Sequence, residues 1–293
     1  MRINLDNVRL RNKMLLLYFL SVLIPIVLTN VIFYNVTTNN VKKQKLRDIS
    51  LVMEQIRNDF RSQVDLAVGI SAVILNDSLL NQALNERYSD SALYVENYHN
   101  HILYVLNKYS PVYKAIQDIT IYSDNNTILS GGRVLGITDE VREEPWYKRV
   151  SEIGSPGPVV LSEGASSRIS VVRRMNAFGG QQGYENILKI DLHPDMTNQI
   201  FSKATLEGSI YLLEHDSLRY TTDKNIGRTL QSFDFSSVSV PKGTIVLEQR
   251  YANEGYLSGW RIAGLFQEKQ VLEEVRKSRE FIISPCSISL FLR

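Results

Sequence analysis

The 293-residue chain predicts an α+β protein: an N-terminal transmembrane helix, a long stalk helix, and two lobes that each carry an antiparallel sheet. Three observations predict it. Residues 14–34 form an apolar run without a charge. The stretch that follows holds apolar side chains at helical spacing. Beyond Ser110-Pro111 the period changes to alternation, and a strand–turn–strand pattern occurs twice.

As a helix rising about 1.5 Å per residue, the run 14–34 spans roughly 30 Å, the thickness of a bilayer core. Ser21, Thr29 and Asn30 offer too little polarity for the solvent face of a soluble helix. Pro25 is tolerated in lipid, and Tyr18 and Tyr34 suit the two headgroup zones. Arg2, Arg9, Arg11 and Lys13 precede the run against one acid, Asp6. Residues 1–13 are therefore expected in the cytoplasm and the following mass outside the cell. A cleavable signal peptide would have a shorter apolar region and a small-x-small site, and residues 30–40 contain no Ala or Gly. The expectation is an uncleaved anchor.

Over 35–75, Ile49, Met53, Ile56, Phe60, Val64, Ala67 and Ile74 fall on one helical stripe, with Lys45, Arg47, Glu54, Arg57, Asp59 and Arg61 around it. This stalk helix is expected to pack on its own domain, to dimerise, or both. A membrane-distal lobe over 76–193 opens with a helix at 91–109, stopped by Ser110-Pro111. Strands at 119–122 and 127–129 are expected as a hairpin around the polar turn 123–126, and Gly131-Gly132 breaks the chain. A short helix at 143–150, opened by Pro145, precedes strands at 159–162, 168–175 and 184–192, the last two joined at Gly179-Gly180. A membrane-proximal lobe over 194–266 starts with a helix from Pro194. A hairpin of 209–213 with 218–221 follows, then strands at 243–248 and 257–266. A C-terminal helix at 267–280 leads back toward the membrane. Residues 281–293 read as the start of a second transmembrane segment, cut too short to cross.

A net charge of +2 and the lack of a basic stripe with interleaved aromatics give no reason to expect nucleic acid. The single cysteine, Cys286, excludes an intrachain disulfide, which for an extracellular domain points to a bacterium. Chemistry is sparse. There is no Walker loop, no Asp-x-Gly-x-Gly and no Gly-x-Ser-x-Gly. His193-x-Asp195 and His215-Asp216 fall short of the three or four convergent ligands of a metal site. The pairs Glu143-Glu144 and Glu273-Glu274 point about 100° apart on a helix. No catalytic residue, metal or cofactor is expected. What remains is a binding pocket. Trp146 and Tyr147 offer a stacking surface, Arg168, Arg173 and Arg174 offer cations, and Asp191 offers an acceptor. The bland alternatives are Trp146 as core, the arginines as a solvated strand face, and Asp191 as a cap for the next helix.

The order of anchor, long helix, distal hairpin, Trp146-Tyr147 helix, three strands ending in Ile190-Asp191, helix, second hairpin and Asn225-Ile-Gly-Arg-Thr-Leu230 resembles the double Cache (dCache) sensor domain of bacterial transmembrane receptors. More narrowly, it resembles the extracellular half of YesM-type sensor histidine kinases. The resemblance implies two PAS-like lobes, with the ligand usually in the distal one, and beyond them a second span, a HAMP linker and a kinase core. This chain is then the non-enzymatic sensing part of a two-component histidine kinase in the cell membrane, with its sensor domain extracellular. The alternatives are the sensor of a methyl-accepting chemoreceptor or a membrane-tethered extracellular hydrolase. Expected ligand-binding residues are Trp146, Tyr147, Arg168, Arg173 and Asp191. Expected partners are a small polar or anionic solute or a solute-binding protein, the lipid bilayer, and a second copy in a homodimer. Amino-acid-binding members carry an Arg two residues before the Trp, where this chain has Glu144, so amino-acid specificity is not implied. Trp146→Ala is expected to lose binding with the unliganded fold intact.

Overall fold

The computed structural model describes residues 10–109, 114–153, 157–163, 168–175, 183–202, 208–215, 217–223, 243–251, 255–271 and 273. The motif at 225–230, the Gly179-Gly180 turn, Cys286, most of the helix expected at 267–280 and the stretch 281–293 lie outside them. Two units are distinguished: Met1–Ser50 with Gln267–Arg293, and Leu51–Phe266.

Helix α1 is continuous over Leu10–Leu75. Among the described residues it is the one helix long and apolar enough to cross a membrane. Its apolar side chains in 14–34, such as Leu17, Tyr18 and Phe19, are exposed, whereas all seven stripe residues from Ile49 to Ile74 are buried. In the first unit, Lys42 of α1 pairs with Glu268 at the start of α8 (Glu268–Val271).

The unit Leu51–Phe266 holds two sheets. After α2 (Ser78–Asn85), N-capped by the Asp77 carboxylate, come α3 (Ser91–Asn97) and α4 (Leu103–Tyr109), joined by a π-helical turn at Tyr98–Ile102. The first sheet has the order β2-β1-β5-β4-β3. Its strands are β1 (Ile116–Ser123), β2 (Val134–Gly136), β3 (Val159–Glu163), β4 (Arg168–Arg174) and β5 (Asn186–Leu192). Helices α5 (Asp139–Glu143) and α6 (Pro145–Ile153) lie between β2 and β3 in the chain. After α7 (Pro194–Ser202) the second sheet has the order β7-β6-β9-β8. It contains β6 (Gly208–Glu214), β7 (Ser217–Thr221), β8 (Thr244–Arg250) and β9 (Trp260–Gln267).

The first hairpin expected from sequence is not formed. Residues 127–129 are not a strand, and β1 instead pairs in parallel with β2, Ile121 opposite Val134. The reason is Asn125. Its amide donates to the carbonyls of Leu84 and Glu86 at the end of α2, and its oxygen accepts from the Thr127 N–H and hydroxyl. These bonds fix the backbone as a loop, so the alternation at 127–129 has no ladder to join. The turn is made later, where Gly132 adopts φ +62° against the Tyr98 hydroxyl and a Cβ would lie 2.4 Å from that oxygen. The two sheets therefore do not open with the same motif; only β6 and β7 form a hairpin of the expected kind.

Helix α1 backs the second sheet through Phe60, which lies 5.7 Å from Trp260 and 6.2 Å from Tyr251 between ring centroids. The Tyr251 hydroxyl donates to the Arg57 carbonyl. Farther along α1, Ser71 is buried and meets Arg173 of the first sheet.

Candidate functional site

Strand alternation decides which side chains of the first sheet share a face. The antiparallel register sets Asp191 opposite both Asp118 and Ser170, and Lys189 opposite Thr120 and Val172. Tyr122 and Ile187 continue the row. This is the face that α6 covers: Trp146, Tyr147 and Val150 form one buried cluster with Val159, Leu161, Val172 and Ile187. Pro145 opens α6, and placing Trp146, Tyr147 and Val150 within four residues turns one stripe of the helix onto the sheet.

Beside the apolar cluster lies an ionic group. The Ser170 hydroxyl, fully buried, donates to Asp191 Oδ1 at 2.6 Å. Lys189, whose side chain is 7% exposed, sets its ammonium 3.1 Å from the same oxygen and 5.7 Å from the Trp146 ring centroid. Arg168 Nη1 stands 3.8 Å from Asp191 Oδ2, and its buried Nε–H has no hydrogen-bond partner among the described residues. On β1, Asp118 accepts from Thr120 and pairs with Arg133 at 3.5 Å. Tyr122 lies against Trp146 with ring centroids 4.8 Å apart and the planes tilted by 48°.

Of the five residues expected from sequence, Trp146, Arg168 and Asp191 come together around Lys189. Tyr147 belongs to the same cluster, but its hydroxyl points to the rim, donating to Glu185 Oε2 and accepting from Arg142, both at 2.8 Å. Burial, reinforced by the Glu185 bond and charge, raises its pKa against the opposing effect of Arg142 and Arg174. Arg173 is excluded. Its odd position on β4 puts it on the opposite face, with Nη1 3.5 Å from Ser71 Oγ of α1, where burial lowers its pKa. Asp191 is no helix cap: His193 Nδ1 accepts from the Asp195 N–H at the start of α7 instead. Trp146 is 5% exposed and belongs to the core, so the expectation that Trp146→Ala spares the unliganded fold is withdrawn.

No family model matches the sequence, and no curated protein matches it. Solved structures do. The sensor domain of the V. cholerae histidine kinase DctB is 11% identical with a TM-score of 0.51, over 77% of this chain and 98% of that one. This chain has the fold of that sensor domain. The ligand-binding domain of the Pseudomonas fluorescens chemoreceptor CtaA, solved with L-isoleucine, is 15% identical with a TM-score of 0.49, over 81% of this chain and 98% of that one. An extracellular ligand binding receptor from Desulfohalobium retbaense is 12% identical with a TM-score of 0.43; the match covers 77% of this chain and 39% of that one.

Sequence reasoning missed Lys189, Ser170 and Tyr122. The signal for Lys189 was present: a lone cation inside Ile187-Leu-Lys-Ile190 at the same parity as Asp191. The sites of Ser170 and Tyr122 needed the register. A concavity of about 370 Å³ lies at the other sheet among Phe201, Ile210, Tyr220 and Thr222. No charged side chain is among its described lining residues. Among the described residues, no three of His, Cys, Asp and Glu gather as a metal site.

Proposed function

We propose that this chain is the extracellular ligand-sensing part of a membrane-anchored receptor, a two-component histidine kinase of the YesM type, and that it binds a small solute on the α6 face of the first sheet. The observation that carries this reading is the convergence of Trp146, Tyr122, Arg168, Lys189 and Asp191 on one face. Two aromatic rings beside a buried ionic group supply what a small polar solute needs: an apolar wall and a few fixed charges. Residues 14–34 anchor the receptor in the bilayer, with the sensor outside the cell and a second copy beside it in a homodimer. The sensor fold shared with the DctB domain supports the receptor class.

The chain enters the unit Leu51–Phe266 through α1 and leaves it after β9. Solute binding acts by preferring one arrangement of these exits, and it shifts the receptor only by the difference in affinity between two states. The test is a metabolite panel screened by thermal shift on the full chain in detergent. At a hundredfold excess over Kd a binding solute adds about 2.7 kcal/mol. Trp146→Phe and Asp191→Asn should each weaken the response at least tenfold in apparent Kd. A solute that protects both variants as it protects the wild type places the site elsewhere, with the concavity at Phe201 and Tyr220 the alternative.

A further inference from the structure

Lys189 occupies the middle strand of the first sheet, with β1 on one side and β4 on the other. Withdrawing an ammonium from water costs several kcal/mol unless close partners compensate. Here the partners include the Asp191 carboxylate and the face of Trp146. A carboxylate steadied by a buried hydroxyl, beside an aromatic face, is a complete receptor for an ammonium ion. Lys189 fills it from within the chain, on a stem already ordered by β5, so a free amine must displace a tethered competitor.

The rest of the face has the opposite appetite. Its described charged groups are Asp118 on β1, Arg133 ahead of β2, Arg168 and Arg174 on β4, Glu185 ahead of β5, and Lys189 and Asp191 on β5: four cations against three carboxylates, which leaves one positive charge in surplus. Arg168 also holds a buried Nε–H with no hydrogen-bond partner among the described residues. We infer that Lys189 is the resident cation of an ammonium site, that it bars amines and zwitterions from Asp191, and that the solute sensed here is a small anion met by Arg168 and Lys189. This rests on the α6 face being the sensing site and adds the charge of what it takes.

The experiment removes the resident cation and offers another. Full-length wild type, Lys189→Ala and Lys189→Ala/Asp191→Ala are melted in detergent with n-butylammonium chloride, against sodium chloride at equal concentration. Lys189→Ala should regain a few degrees of Tm with butylammonium, and wild type and the double variant should not respond. Protection of wild type by the amine, or none of folded Lys189→Ala, overturns the inference. If Lys189→Ala yields no folded chain, Asp191→Asn decides. Acylation of Lys189 by N-hydroxysuccinimidyl acetate, read by mass spectrometry, should be at least tenfold faster in Asp191→Asn than in wild type, and equal rates overturn the inference. The metabolite screen separates the two readings. A cationic or zwitterionic solute that loses affinity in both Trp146→Phe and Asp191→Asn keeps the site and overturns its charge. A solute indifferent to both variants overturns the site itself.

Discussion

At the scale of single residues, this molecule uses buried charge more than its composition suggests. Glu214, 1% exposed at the end of β6, lies within 2.5 Å of Arg149 on α6 and 3.0 Å of Arg219 on β7. The approach is ionic without hydrogen-bond alignment, since neither carboxylate oxygen meets an N–H in bonding geometry. Arg149 sits three residues after Trp146, so the helix that covers the candidate site is also tied to the second sheet. Removing one member of a buried pair leaves the others uncompensated, a loss of about 3–5 kcal/mol. Glu214→Gln should therefore lower stability by about that amount in denaturant melts of the full chain, and Lys148→Gln, at an exposed neighbour on α6, should change it by less than about 1 kcal/mol. Trp146→Ala empties the aromatic part of the first core and should cost about 3–5 kcal/mol, with Trp146→Phe well below that. Trp260 remains as the fluorescent reporter in both.

At the scale of elements, α1 is the organising piece. A helix can lie close against a strand only where the strand lacks side-chain bulk, and Gly264 supplies that on β9. A Cβ there would come 2.5 Å from the Phe266 ring and 3.1 Å from Met53 Sδ of α1. Gly264→Ala is expected to destabilise by about 1–3 kcal/mol through overpacking. Hydrogen exchange should show faster opening of β9 and of α1 around Met53, with the first sheet little changed. The π-helical turn at Tyr98–Ile102 is a second element-level device. It carries Tyr98 to Gly132 and so helps set the turn that feeds β2, through the bond from the Arg133 N–H to the Tyr98 hydroxyl.

For the whole molecule, the alkaline limit follows from its tyrosines. Tyr88, Tyr94, Tyr147, Tyr211 and Tyr220 all have pKa values raised above the ordinary 10.0, with burial the leading cause in each. A phenol whose folded pKa exceeds its unfolded value contributes stability that is complete below pH 10. That stability disappears as the pH rises through the folded values. The Tm should hold up to about pH 10 and then fall, together with a rise in phenolate absorbance. Tyr147→Phe should remove one share of that fall while costing the Glu185 bond at neutral pH.

Much of the architecture was legible in the chain. The stripe from Ile49 to Ile74 fixed a buried helix face, because 3.6-residue spacing leaves a helix few ways to bury it. Strand patterns marked eight of the nine described strands, all but β2, and Pro145 and Pro194 marked the starts of α6 and α7. The hairpin at 119–129 was misread because an Asn that bonds two backbone carbonyls far back in the chain, those of Leu84 and Glu86, looks, in sequence, like an Asn in a tight turn. The site was half legible. Trp146, Arg168 and Asp191 could be chosen by residue type, but a strand pattern says only that alternate residues share a face, not which face meets α6 or which register joins β4 to β5. Those choices placed Lys189 and Ser170 against Asp191 and sent Arg173 to α1. Residue type was set locally. Partnership was set by register across strands distant in sequence, and that is decided only when the sheet closes.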